Sequence, residues 1–131
     1  MLFRSTAYIQ TDASGVPSGT IVTNGTSGSG SAASASFGWI SFSFSTPVTV
    51  VAGTKYWIVF KVIAGTINSA NRYLLLANNN GYASGVMLKT LNSGTTWTGF
   101  ASAEDLLFRT YGSGGGNYNL NVQVTYNKRY L

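Results

Sequence analysis

The segment FGWISFSFST at residues 37–46 limits the choice of fold more than any other part of the chain. Ile40, Phe42 and Phe44 alternate with serines, and this period of two predicts an antiparallel β-strand with one buried face. Trp39 has the opposite parity. It therefore lies either on the outer face of the strand or beside a bulge that shifts the register.

Composition extends the prediction of β-structure to the whole chain. Charged residues make up 8% of the 131 residues, against about 25% in an average globular protein. Polarity comes instead from Ser, Thr, Asn and Gly, which favour turns and strands, whereas Glu and Lys, which favour helices, are sparse. Aromatic residues make up 14% of the chain, enough for one hydrophobic core. We therefore expect an all-β protein.

The segment KYWIVFKVIA at residues 55–64 predicts a second long strand. It is apolar at both parities as far as Lys61, which is typical of a strand that is covered on both faces. We expect Trp57 to lie in the core. The same expectation of burial holds for other apolar residues of the two strands: Phe42, Phe44, Tyr56, Ile58 and Phe60.

The segment NGTSGSGSAASAS at residues 24–36 has the opposite character, because it contains almost no large side chains. Low complexity of this kind is typical of a flexible surface loop. We expect that it contributes nothing to the core. The preceding TDASGVPSG at residues 11–19 predicts a turn, since Asp, Gly and Pro suit the special backbone angles of turns.

Turn signals of this kind recur along the chain and separate about eight to ten short strands, the pattern of an antiparallel β-sandwich or jelly roll. The sandwich domain is assigned to residues 1–112 and a Gly/Ser-rich linker to residues 113–117. Residues 118–131 then form a C-terminal strand or tail.

The C-terminal strand is amphipathic and carries one apolar stripe, formed by Leu120, Val122, Val124 and Tyr126. A single strand of this length is not stable alone. We expect residues 118–126 to pair with a sheet and to contact another protein chain, so that the stripe acts as an assembly strand. In that case the sandwich is completed either by this strand or by a strand that a neighbour donates.

Residue types argue against catalysis, because the chain has no His and no Cys. Nucleophilic triads, thiol chemistry and the usual zinc sites need these residues. The acids are Asp12, Glu104 and Asp105, and the last two are adjacent, so they point to opposite faces of a strand. We expect no enzyme activity, no catalytic residue, no metal and no cofactor.

The net charge of +5 comes from basic residues that are scattered along the sequence. Nucleic-acid binding usually needs a clustered basic face, so we expect no nucleic-acid partner. The apolar runs are too short to span a bilayer, and the N-terminus lacks the apolar core of a signal peptide. We therefore expect neither membrane insertion nor a visible export signal.

Several motifs in this order resemble a known module: GVPSGT at 15–20, WISFSFSTPVTVVAGTKYWIVF at 39–60, NGYASG at 80–85, GTTWT at 94–98 and DLLFRTYG at 105–112. The chain resembles the choice-of-anchor-type β-sandwich domain of secreted bacterial proteins and phage virion proteins. The resemblance covers roughly residues 5–112 and implies a jelly-roll-like scaffold, which by itself does not specify an activity. Members of that family begin with further strands before the one that matches FRSTAYIQ.

These observations lead to two functional hypotheses. The first is a non-catalytic structural or adhesion module of a phage virion, a decoration or tail-fibre protein, that acts through contacts with other protein chains. The second is a carbohydrate-binding β-sandwich module of a secreted bacterial protein, at the cell surface or outside the cell. Its candidate ligand surface consists of aromatic, amide and cationic residues: Trp39, Arg72, Tyr73, Asn79, Tyr82 and Trp97.

Overall fold

The computed structural model describes residues 4–31, 38–65, 71–75, 77–79, 85–99, 104–111 and 121–130. These residues form strands and turns and contain no helix. The strands are β1 (Arg4–Ala13), β2 (Val16–Ser31), β3 (Gly38–Ser43), β4 (Tyr56–Ala64), β5 (Asn71–Leu75), β6 (Ala77–Asn79), β7 (Leu88–Lys89), β8 (Thr98–Gly99), β9 (Glu104–Leu106), β10 (Phe108–Tyr111) and β11 (Asn121–Tyr130).

All the described strand pairs are antiparallel, and they form two larger sheets. Sheet I has the order β2-β1-β4. In sheet II, β11 pairs with β3, β10 and β5. Because Tyr126 pairs with both Gly38 and Leu75, β3 and β5 lie on opposite edges of β11. The prediction of an all-β, antiparallel fold is confirmed.

Among the described residues, a hydrophobic core joins sheet I to β3 of sheet II. It contains residues of β1, of β3 and of the segment that follows β3: Ala7, Ile9, Ile40, Phe42, Phe44 and Val48. Tyr56, Ile58 and Phe60 of β4 are half-buried and pack against this cluster. Phe42 and Phe44 are therefore buried as expected, whereas Tyr56, Ile58 and Phe60 are only half-buried.

The glycine- and serine-rich segment is not a surface loop as far as the structure describes it, so that expectation is wrong. Residues 24–31 belong to β2 and pair with β1, and Gly25, Ser27 and Gly30 are buried. A Cβ atom at Gly30 would lie 2.7 Å from Ile40 Cγ2 and 2.8 Å from Phe42 Cε1. The absence of a side chain at this position therefore lets sheet I approach β3 closely.

A bulge in β2 explains the buried serine. The register between β1 and β2 shifts between Thr6 and Tyr8, which leaves the backbone of Ala7 without a regular partner in β2. The amide of Ala7 donates instead to Ser27 Oγ at 2.9 Å, and the Ser27 hydroxyl donates to the carbonyl oxygen of Gly28 at 2.7 Å. The Ser27 side chain thus gives the buried amide of Ala7 a hydrogen-bond partner, which the bulge would otherwise remove.

The predicted turn near residue 15 is a tight hairpin between β1 and β2. Ser14 and Gly15 both have positive φ, 55° and 91°, the combination that two-residue hairpins prefer because it matches the twist of the strands. The Gly15 amide donates to Asp12 Oδ2 at 3.1 Å and fixes the turn.

The C-terminal strand pairs with a sheet, as expected for residues 121–126, and that sheet belongs to the same chain. Residues 121–124 have β3 on one edge and β10 on the other. The strand is therefore part of the main fold and completes sheet II. Leu120 and the predicted linker lie outside the described residues.

Gly30→Ala should destabilise the fold by about 1–3 kcal/mol, because the new methyl group overpacks the contact with Ile40 and Phe42. Gly28→Ala is the matched control in the same strand, since a Cβ atom there would lie 3.6 Å from the carbonyl oxygen of Ser43, an ordinary contact. Urea denaturation of both variants measures the difference. Equal stability of the two variants would show that β2 does not pack on β3 at Gly30.

Phe42→Ala should cost about 3–5 kcal/mol of stability, the usual range for removal of a buried ring. Phe42 is buried, and its ring centroid lies 5.3 Å from that of Phe60. The same urea titration gives the value, and a loss below about 1 kcal/mol would contradict a central place for Phe42 in the core.

Candidate functional site

The described acidic side chains are considered first, since metal binding or acid–base catalysis would depend on their carboxylates. Among the described residues, no three His, Cys, Asp or Glu side chains come together as metal ligands would. The carboxylate of Asp12 accepts a hydrogen bond of 2.6 Å from Trp57 Nε1 as well as the bond from Gly15 N. These two bonds, the one from Trp57 first, lower the pKa of Asp12 below its ordinary value. Asp12 therefore has a structural partner at each carboxylate oxygen.

Trp57 is buried as predicted, but it lies on the other face of sheet I from the shared core. Ile9 pairs with Ile58, and both contribute to that core. Trp57 is the neighbour of Ile58 and pairs with Gln10, so it points to the opposite face of the sheet. Its indole N–H needs a polar partner when buried, and Asp12 provides it.

Asp12→Asn should reduce the acid sensitivity of the protein. A lowered pKa in the folded state means that ionised Asp12 adds stability above the unfolded pKa, near 3.8, and that this stability is lost as the pH falls through the folded value. The variant should be less stable than the wild type at pH 7, and the difference should shrink below a pH of about 4. Thermal unfolding followed across this range tests the prediction, and parallel curves for the two proteins would contradict it.

Trp39 lies on the outer face of sheet II. The register between β3 and β11 is continuous from Gly38 to Ser43, so no bulge displaces it there, and its side chain is 40% exposed. The guanidinium carbon of Arg109, from β10, lies 4.1 Å from the centroid of the Trp39 ring. This is the geometry of a cation–π contact.

Arg109 is the residue of this surface that sequence reasoning missed. It is 70 positions from Trp39, and the only signal in the sequence is the alternation of FRTY at residues 108–111, which gives Arg109 and Tyr111 the same parity. The structure shows both of these side chains exposed. An exposed aromatic ring and a planar cation thus lie together on one face of the sheet.

Two further candidate residues belong to the same sheet. Arg72 and Tyr73 lie in β5, where the backbone of Arg72 pairs with Arg129 and that of Tyr73 pairs with Lys128 of β11. Three of the six candidate ligand residues, Trp39, Arg72 and Tyr73, thus lie in strands of sheet II.

The other three candidates are not brought into this group. Asn79 lies in β6, whose partner is β9, and Tyr82 lies outside the described residues. Trp97 precedes β8 and is half-buried, with its ring 3.7 Å from the position of a Cβ atom at Gly94. Its buried Nε1 has no hydrogen-bond partner within the described part of the chain. The Trp97 ring is thus only partly accessible, and its role in ligand binding stays a prediction.

A polar loop joins β7 to β8 and holds one apolar side chain outward. Thr90 Oγ1 accepts from Gly94 N at 2.9 Å, and Asn92 Nδ2 donates to Thr96 Oγ1 at 2.8 Å. The loop contains a turn with positive φ at Ser93 and Gly94. Leu91, next to this network, is 94% exposed.

The free edge of sheet I is formed by β4. Within the described residues, β4 pairs only with β1, and the register of that pair is regular from Ser5 to Thr11. Ile63, near the end of β4, is 49% exposed. The opposite edge strand, β2, differs because three register shifts interrupt it and it contains Pro17.

No protein-family model, curated protein or solved structure shows a significant match to this chain. In the described part of the chain, no helix is long and apolar enough to cross a membrane.

Proposed function

We propose that this chain is a non-catalytic structural module that works by assembly with other protein chains, through the exposed edge of β4. The observation that carries the proposal is the contrast between the two edges of sheet I. An edge strand presents unpaired N–H and C=O groups to any neighbouring strand, and most proteins protect such edges with bulges, Pro or charges.

The β2 edge has these protections and the β4 edge has few. Three register shifts and Pro17 interrupt β2. β4 is nine residues long, contains no Pro and has a single charge, Lys61. A partner strand added along β4 would gain main-chain hydrogen bonds and cover Ile63, as in other cases of β-strand addition.

The occupant that we propose is a second copy of the chain. Two β4 strands that pair antiparallel about a two-fold axis present the same surface to each other, which is the arrangement of most homodimers. If Phe60 lies on the axis, Lys61 of one copy pairs with Val59 of the other, so the two lysines do not face each other. Sheet I would then continue through the dimer as one six-stranded sheet.

The resemblance to β-sandwich domains of phage virion and secreted bacterial proteins supports the wider biological setting. Low charge and a β-rich scaffold without His or Cys suit a structural component. We therefore propose a virion or cell-surface protein, a decoration or fibre component, whose contacts are with its own copies and with neighbouring chains.

The assembly strand expected at the C-terminus is not the surface proposed here. Residues 121–124 have both edges occupied by β3 and β10 of the same chain. A partner strand could pair there only after one of these strands had left. The edge of β4 needs no such rearrangement.

Ile63→Lys should dissociate the assembly, because a lysine on an edge strand opposes further strand pairing. Sedimentation velocity at several concentrations should show self-association of the wild type and a shift of the variant to monomer. Leu91→Lys is the control, since it places the same charge at an even more exposed apolar residue outside sheet I.

A wild type that stays monomeric at the highest concentration would contradict the proposal. The same holds if Leu91→Lys abolishes association and Ile63→Lys does not, because the contact would then lie at the β7–β8 loop.

A further inference from the structure

We propose that the outer face of sheet II binds an anionic polysaccharide, a chain of sugars that carry carboxylates. This goes beyond the assembly proposed above and uses a different sheet. It joins an exposed aromatic ring, which suits a sugar ring, to a cationic surface, which suits a carboxylate.

The strands of sheet II hold charges of one sign only. Half of the eight basic residues of the chain lie in its strands, namely Arg72, Arg109, Lys128 and Arg129, and three of them, Arg72, Arg109 and Arg129, have the register parity of Trp39. None of the three acids does, because Asp12 lies in β1 and Glu104 and Asp105 lie in β9. Basic residues that are scattered in the sequence are thus gathered by the topology, with no carboxylate in the strands of this sheet to neutralise them.

Two of these residues share one register position. Arg72 of β5 is paired directly with Arg129 of β11. Like charges at directly opposite positions of an antiparallel pair are destabilising. A bound anion near this register position would offset such repulsion.

The register also shows that the residues of this surface are arranged along β11. Along β11, Gln123 pairs with Arg109, Thr125 pairs with Trp39 and Arg129 pairs with Arg72. These positions are separated by even steps, and an even step returns to the same face of a strand. From residue 123 to residue 129 the distance is about 20 Å at 3.3–3.4 Å per residue. That length exceeds one sugar ring and suits an extended chain.

The contact between Trp39 and Arg109 provides both kinds of recognition. The guanidinium carbon of Arg109 lies 4.1 Å from the centroid of the Trp39 ring, and the N–H groups that point away from the ring can bind a carboxylate in the bidentate manner that arginine favours. The exposed part of the Trp39 ring offers an apolar surface for the C–H groups of a sugar.

The same surface is less suited to single-stranded nucleic acid. Proteins of that class stack successive bases on a series of aromatic rings. In the described part of the outer face of sheet II the exposed rings are Trp39 of β3 and Tyr111 of β10, and β3 continues with serines at positions 41 and 43. Two rings on separate strands do not form such a series.

Isothermal titration of the full chain with alginate oligosaccharides, which are made of uronic acids, tests the proposal. We expect binding of alginate and none of neutral dextran of similar length. Arg72→Gln and Arg109→Gln should each weaken binding about tenfold, the loss of one charge-assisted hydrogen bond. Trp39→Ala should also weaken binding while it leaves the net charge unchanged.

Arg4→Gln is the matched control, because it removes the same charge from an exposed position in sheet I. It should change the affinity for alginate less than twofold. Circular dichroism of each variant checks that it is folded. If Arg109→Gln is unstable, Arg72→Gln still tests the proposal, because it leaves the Trp39–Arg109 contact unchanged.

Three results would overturn the proposal: no binding of alginate by the wild type, an equal loss of affinity in Arg4→Gln, or tighter binding of an oligothymidylate than of alginate at the same salt concentration. The last result would assign the surface to nucleic acid. None of these variants changes β4, so the alginate titration and the assembly experiment test the two proposals independently.

Discussion

The close contact of Ile40 and Phe42 with the bare backbone at Gly30 is the interaction through which sheet I packs on β3. The ring of Phe42 occupies the space where a side chain of β2 would be, and it also meets Phe60 of β4 at 5.3 Å, with the rings tilted by 52°. Large residues on β3 thus face small ones on sheet I, where Ala7 is fully buried. This complementarity explains how a chain with so few large side chains in its first 31 residues still forms a dense core.

The shared core fixes which surfaces remain for function. The core is built where sheet I packs against β3 of sheet II, so we look for function on the exposed face of β3 and β10 and at the edges of the sheets. On sheet I the edge of β4 is regular and nearly uncharged, and this favours contact with another strand. On sheet II the outer face carries Trp39 beneath Arg109, and the strands around it add only positive charge. The two proposals therefore concern separate parts of one scaffold, and a protein that assembles through one sheet keeps the other face available.

Local sequence patterns predicted those strands and turns whose own residues show an alternation, an apolar run or a turn motif. The alternation at Ile40 and Phe42, the apolar run that became β4, and the hairpin at Ser14–Gly15 depend on neighbours in sequence. The glycine- and serine-rich part of β2 carries no such signal, because the large side chains that bury it belong to β3. The pairs Trp39–Arg109 and Arg72–Arg129 were equally hidden, since strands 70 and 57 residues apart come together only in the folded sheet. The charge of sheet II is thus a property of the topology, and the scattered order of basic residues along the chain gave no indication of it.

A double-mutant cycle between positions 30 and 42 tests this account most directly. Phe42→Leu shortens the side chain that a methyl group at position 30 would strike, so it should relieve part of the cost of Gly30→Ala. The unfolding free energies of the wild type, the two single variants and the double variant should give a coupling energy of at least about 0.5 kcal/mol, as expected for residues in contact. Additive effects within about 0.3 kcal/mol would show that the two positions do not touch. In that case β2 would not be the strand that receives Phe42, and the close approach of the two sheets described here would be wrong.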